Sequence, residues 1–413
     1  MLFSSILFAG ISLATLASAA PTIGGSHSLR ARADSPSSAG TCVQERIPIA
    51  VQVDTTAIRM KKPADQASLT GFLANYWSTG STITSQAIAH KSDGSPKKNR
   101  VEGTYNIWTQ TCHPKGWKDG QPLIVGIHGI NFDHSYWEFG YSKEYNFIEA
   151  ANKAGYAVLT YDRLGVGQSD KPDGINVVQS STEVEILHQI IQRSRKSKKY
   201  SKILGIGHSF GSIQLTGIAA KYPSDLDAVI LTGYTPSMAS VGLSFTGWAQ
   251  TLANQQPDVA IRSRWASLPS GSTIMSDQSY LGTGSPSADR FAFFADNFYD
   301  EDAFKLAYNT KQTHTLGEFL TIAEPVSEPA TDYKGHVFVV TGEKDLIFCG
   351  GNCWQKPTTA PGNSLLEDAK TLYPNAARFS TYVPPGAGHA LFAHRGTDET
   401  IEKILAWTKE SGM

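Results

Sequence analysis

Five residues, Gly207-His208-Ser209-Phe210-Gly211, carry the first chemical signal in this chain. They stand between the short apolar run Ile203–Ile206 and an apolar-periodic stretch beginning at Ser212. A G-x-S-x-G turn between a strand and a helix is tight enough to push the serine hydroxyl clear of the backbone. Side chains at the flanking glycines would clash with the neighbouring strand and helix. A serine hydroxyl attacks only beside a base, and the base needs a carboxylate to orient it. Both occur downstream, each after an apolar run. Val337-Phe-Val-Val is followed by Thr-Gly-Glu-Lys-Asp345, and Phe379-Ser-Thr-Tyr-Val is followed by Pro-Pro-Gly-Ala-Gly-His389. Asp345 is preferred over Glu343 as the acid. His389 is preferred over His394 as the base, because Gly386 and Gly388 let its backbone reach the site. The reaction also needs two backbone N–H groups where charge develops on the carbonyl oxygen. Phe210, next after the serine, offers one. Ile130, after the run Leu123–Ile127 and His128-Gly129, offers the other. His128 is assigned a loop-shaping role only. The chemistry these residues support is acyl transfer through Ser209.

Such side chains must be held by a rigid frame. Short, continuous apolar runs recur at Leu123–Ile127, Ala157–Tyr161, Ile203–Ile206, Ala228–Leu231, Val337–Val340 and Phe379–Val383, with helical stretches between them. That alternation predicts an α/β protein with a mostly parallel sheet buried on both faces. Arg46–Thr56 and Arg100–Thr111 read as opening antiparallel strands, and Ala64–Ser78 between them has apolar residues at helical spacing. Regular alternation stops after Tyr234. From Pro236 to Asp332 there is no clear strand, and aromatics are dense, among them Phe245, Trp248, Trp265, Phe293 and Phe319. We expect a mostly helical insertion, part of which packs on itself. It lies between strands whose C-terminal ends carry the catalytic loops, so it should roof them and supply an apolar wall.

His128-Gly129, Asp162-Arg-Leu-Gly-Val-Gly-Gln-Ser169, Gly207-His-Ser-Phe-Gly211, Gly342-Glu-Lys-Asp345 and Gly388-His389 follow one another in this order. In this the chain resembles the α/β-hydrolase superfamily, specifically a secreted, fungal-type serine esterase or lipase-like member. The resemblance runs from Gln121 to the end, outside the insertion. It implies an eight-stranded, mostly parallel sheet flanked by helices, with a core of 41–235 and 333–413 and a helical lid of 236–332. It also implies a Ser209–His389–Asp345 triad with Ile130 and Phe210 as oxyanion donors, and neither a cofactor nor a metal. The Asp162–Ser169 segment is a packing and turn motif there and receives no chemistry. Epoxide hydrolases and haloalkane dehalogenases carry Asp at the elbow, so Ser209 argues against both. The expected substrate is a small, hydrophobic ester or lactone. Alternatives that use the same residues are a lactonase, a thioesterase or an acyltransferase acting on a secreted metabolite. A non-catalytic binding protein on the same scaffold is the reading from a different class.

Composition limits the rest. The formal net charge of −1 gives no electrostatic case for nucleic acid. The basic cluster Arg193, Arg195, Lys196, Lys198 and Lys199 follows a helical stretch and suits the negative end of its dipole. Leu2–Leu16 is apolar and Ala17-Ser18-Ala19 fits a cleavage site, so residues 1–19 read as a secretion signal and 20–40 as a disordered or processed segment. No later segment is apolar enough for a membrane anchor. An extracellular location favours disulfides among Cys42, Cys112, Cys349 and Cys353. Of the three possible pairings, Cys42–Cys112 and Cys349–Cys353 is favoured. A zinc site is the competing reading for the close pair, but Cys42 and Cys112 lack a matching ligand pair.

Overall fold

The structure, a computed structural model, describes residues 40–413 apart from 79–81, 83–85 and 238. The expected secretion signal and residues 20–39 of the processed segment lie outside the described residues. Two long strands open the described chain. In Gly40–Thr56 (β1), Ile47, Ile49, Val51 and Val53 are buried and alternate with exposed residues, the period-two pattern of a half-buried strand. It pairs antiparallel with Lys98–Pro114 (β2) from Gly40 opposite Pro114 to Thr56 opposite Lys98. This register sets Cys42 directly opposite Cys112, and the two form a disulfide across the ribbon.

The interior strands of the sheet are Leu123–Ile127 (β3), Ala157–Tyr161 (β4), Ile203–His208 (β5), Ala228–Thr232 (β6) and His336–Val340 (β10). Every residue of β3, β4, β5 and β6 is buried, which is why these segments are uniformly apolar or small. Arg378–Tyr382 (β11) closes the sheet as a half-buried edge. The eight strands run β1-β2-β4-β3-β5-β6-β10-β11. All pairs are parallel except β1 with β2 and β2 with β4. The eight-stranded, mostly parallel sheet expected from the sequence is present, and its loops at the C-terminal ends of β3, β5, β10 and β11 carry the candidate residues.

Between β6 and β10 the described residues build six α-helices: Val241–Gly247, Val259–Ser267, Gly271–Ser276, Pro286–Phe293, Glu301–Thr310 and Leu316–Thr321. It also builds a three-stranded antiparallel sheet from Thr251–Leu252 (β7), Tyr280–Gly282 (β8) and His314–Thr315 (β9). This corrects the expectation of no strand in the insertion. Strands of two or three residues are too short to show a period of two. Trp265, Tyr280, Phe304 and Tyr308 pack in a small core of the insertion's own. Phe245, Trp248, Phe293 and Phe319 join the main core instead. The helix Gln66–Trp77, capped by Asp65, packs on this insertion: Tyr76 lies 4.9 Å from Phe319 and Trp77 lies 6.0 Å from Phe245.

Candidate active site

β5 ends at His208, and the helix Phe210–Lys221 begins two residues later. Ser209 alone makes the turn, at φ 54° and ψ −117°. A side chain at positive φ costs about 1–3 kcal/mol and persists only where the surroundings impose it. Here the Ser209 N–H donates to the Thr232 carbonyl at 2.8 Å, while the Ser209 carbonyl accepts from Ser212 and Ile213. Close approach explains both glycines. A Cβ on Gly207 would lie 2.5 Å from the Ser212 nitrogen, and one on Gly211 would lie 2.2 Å from the Ile127 carbonyl oxygen.

The structure brings the candidate acid and the candidate base together. His389 Nδ1 lies 2.7 Å from Asp345 Oδ2, and both residues are buried. The other carboxylate oxygen of Asp345 accepts the Phe348 N–H at 2.9 Å, capping the short helix Leu346–Cys349. With Nδ1 donating to the carboxylate, the lone pair is left on Nε2. That nitrogen is buried and has no hydrogen-bond partner among the described residues. Gly233 sits between the elbow and the base. A Cβ there would come within 2.7 Å of the His208 ring and 3.4 Å of the His389 ring.

Two loops are clasped to hold this pair. Glu343 N–H donates to the Pro384 carbonyl, and Lys344 N–H to that of Ala387. The Cys349–Cys353 disulfide closes the acid loop, so both favoured pairings are present and no cysteine is left for zinc. The rival residues are otherwise engaged. Glu343 accepts the Gly386 N–H at 2.9 Å, and Lys344 together with that bond holds its carboxyl below the ordinary value. His394 donates from Nδ1 to the Ala390 carbonyl and accepts the Ala295 N–H at Nε2. Burial pushes its pKa down to about 4, so it is a neutral pin between the insertion and the histidine loop.

Ile130 and Phe210 line the same cavity as Ser209. Phe210 is the first residue of its helix, where an N–H has no acceptor within the helix. The loop after β3 presses on the elbow: a Cβ on Gly129 would lie 2.9 Å from Ser209 Cβ. His128 donates from Nδ1 to the Gly129 carbonyl and accepts the Arg163 N–H at Nε2. Burial holds it well below its ordinary pKa, in keeping with a loop-shaping role. His208 is likewise buried and depressed, its ring stacked 4.4 Å from Tyr136.

The cavity measures about 320 Å³. Val241, Phe245, Trp248, Ile322 and Val326 of the insertion face Ile213, Ile347 and Phe348 across it. The partners of several residues that shape this region could not be read from the sequence. Arg163 lies 4.8 Å from the Phe210 ring and pairs in the buried interior with Glu183 and Glu318, the latter from the insertion. Its partners stand 20 and 155 residues away, so no local pattern reveals them. Asp133, His134 and Asp162 bring ligand-type atoms within 4.8 Å of one another. Their oxygens are taken by protein donors, however. Ser135 and Gln312 bond Asp133, and His134 and Gln168 bond Asp162. The cluster reads as a hydrogen-bond network behind the loop after β3.

Residues 124–403 match the profile described as Alpha/beta hydrolase family. The chain is 24% identical over 322 residues to a probable 1-acylglycerol-3-phosphate O-acyltransferase of Oryza sativa subsp. japonica, covering 72% of this chain and 71% of that protein. It is 28% identical over 163 residues to the proline iminopeptidase of Chitinophaga pinensis, covering 39% of this chain and 48% of the relative, so less than half of that protein's length is spanned. Among solved structures, an alpha/beta hydrolase fold protein from Chitinophaga pinensis aligns with a TM-score of 0.47 at 12% identity, over 74% of this chain and 92% of the other.

Proposed function

Because the chain belongs to the alpha/beta hydrolase family, we propose that it is a serine hydrolase that cleaves carboxylic esters through an acyl-enzyme on Ser209. One observation carries the reading. A serine held at φ 54° opens onto an apolar cavity, and the ring of the residue before it, His208, lies 5.0 Å from that of a buried histidine whose Nε2 has no partner among the described residues and whose Nδ1 is fixed by a carboxylate. In the reaction, His389 Nε2 takes the Ser209 proton as Oγ attacks the acyl carbon. Asp345 orients the imidazole and stabilises its cation. The N–H groups of Ile130 and Phe210 receive the oxyanion. Collapse releases the alcohol, which takes the proton from Nε2. Water then attacks the acyl-enzyme with His389 again as base.

The cavity supports a hydrophobic acyl group. Its lining is mostly apolar side chains, which suits a hydrocarbon acyl chain. The insertion supplies eight of its lining residues, which supports a role as a lid that sets substrate choice. The name of the rice relative, an O-acyltransferase, supports a second reading in which an alcohol replaces water. Product analysis in water with and without added alcohol separates the two. A secreted location is part of the proposal and is supported by the two disulfides. No helix among the described residues is long and apolar enough to cross a membrane. In a screen of graded acyl esters and lactones, the protein should hydrolyse at least one ester, and Ser209→Ala should lose activity by orders of magnitude. A folded Ser209→Ala variant retaining about a tenth of the turnover refutes the assignment.

A further inference from the structure

The loop after β3 must present the Ile130 N–H in a fixed direction, and its next residue is unusual. Asn131 has φ 75°, in the left-handed region that Asn tolerates better than most side chains. Three of its groups are bonded to the insertion. Nδ2 donates to Asp289 Oδ1 at 3.2 Å, Oδ1 accepts from Thr283 Oγ1 at 3.4 Å, and the carbonyl accepts the Gln312 N–H at 3.0 Å. Asp289 is paired in turn with Lys311 at 3.3 Å, and Lys311 donates to the Thr283 carbonyl and hydroxyl. Asn131, Thr283, Asp289 and Lys311 are all buried.

The helix Pro286–Phe293 that carries Asp289 also reaches the base. The Phe293 carbonyl accepts the Ala390 N–H at 2.8 Å, and its ring lies 5.9 Å from that of His389 and 5.6 Å from that of Phe132. One short helix therefore touches the oxyanion loop with its middle and the histidine loop with its end. Holding an insertion onto a core requires only apolar contact. A buried ion pair is a poor source of stability, because desolvation offsets its attraction, but it fixes geometry. Preorganised donors lower a barrier only when they point where charge will develop.

We propose that the helix Pro286–Phe293 is a positioning strut for the oxyanion hole, acting through the hydrogen bond from Asn131 to Asp289. Asn131 and Asp289 touch no reacting atom; they set the direction of the Ile130 N–H. The strut makes the insertion a fixed part of the catalytic apparatus at this point and not only a cover.

The inference rests on the serine-hydrolase reading, and one experiment separates the two. Asn131→Gly leaves the backbone free to hold a positive φ while deleting the tether. Ester hydrolysis and the rate of inactivation by a fluorophosphonate are measured on the parent and the variant. Phosphonylation of Ser209 releases fluoride and develops charge on an oxygen in the same hole. Both rates should fall about ten- to hundredfold, with KM within about threefold of the parent. Asn131→Ser, whose shorter side chain cannot span to Asp289, should behave alike and serves if the glycine variant does not fold. A folded variant with both rates within about threefold of the parent overturns the strut, even if its melting temperature falls. Failure of both variants to fold also overturns it, because the network is then needed for stability. A parent that hydrolyses no ester and takes no fluorophosphonate refutes the underlying reading instead.

Discussion

Replacing Asp345 by Asn tests whether the carboxylate works by fixing the imidazole. The substitution preserves shape, so the buried acid loop should survive it. Its consequence follows from two hydrogen bonds. One carboxylate oxygen accepts the Phe348 N–H at 2.9 Å, and the other accepts from His389 Nδ1 at 2.7 Å. An amide has only one oxygen. If it keeps the helix cap at Phe348, the NH2 faces His389 Nδ1, which must then accept. The ring proton moves to Nε2, and the base loses the lone pair that takes the serine proton. If the oxygen faces His389 instead, NH2 abuts the Phe348 N–H in a buried site, leaving a donor unmet at about 1–3 kcal/mol. The cap should therefore win and lock the wrong tautomer. A wrong-tautomer substitution of this kind lowers kcat about 10⁴-fold, or about 5.5 kcal/mol at about 1.4 kcal/mol per decade. Stopped-assay kcat on the best ester measures it, with a melting curve to show that the fold is intact. A loss smaller than about tenfold in a folded variant would refute the tautomer argument.

Two further outcomes follow from the geometry. Across a series of straight-chain esters, kcat/KM should rise about fourfold per added methylene, from about 0.8 kcal/mol of burial each, until the cavity is full and then fall. Phe245→Ala should move that limit to longer chains, and an unmoved limit would exclude Phe245 from the acyl wall. His134 lies 2.6 Å from Asp162; burial alone would lower its pKa, but the carboxylate raises it to about 9. With an unfolded value of about 6.5, its contribution is fully present below about pH 6.5 and lost as pH rises through about 9. The shift corresponds to at most about 3 kcal/mol. Urea unfolding of the parent and of His134→Asn should show their stability difference shrinking across that window, and a flat difference contradicts the linkage.

The sequence made the frame and the candidate site residues legible because both are written locally. Buried parallel strands such as Leu123–Ile127 are continuous apolar runs. A serine flanked by glycines at a strand-to-helix junction has the tight turn that exposes a nucleophile, and Asp345 and His389 stand at strand ends in a workable order. What the sequence did not disclose depends on distant partners. Nothing near Asn131 announces Asp289, which lies 158 residues later. Nor does Arg163 announce Glu318, 155 residues away. The short strands of the insertion, Thr251–Leu252 and His314–Thr315, are too brief for a period and are held by pairing with Tyr280–Gly282. The aromatics of the insertion looked alike in sequence. Packing divides them into its own core, as for Trp265, the cavity wall, as for Trp248, and the exposed surface, as for Phe291.

The central claim is that an acyl group passes through Ser209. Rapid acid quenching of the protein during turnover of a slow ester, followed by proteolysis and mass spectrometry, tests it directly. The peptide containing Ser209 should carry the mass of the acyl group, the adduct should disappear as substrate is exhausted, and Ser209→Ala should form none. Turnover with no acylated peptide, or an acyl group on any other residue, would contradict the account.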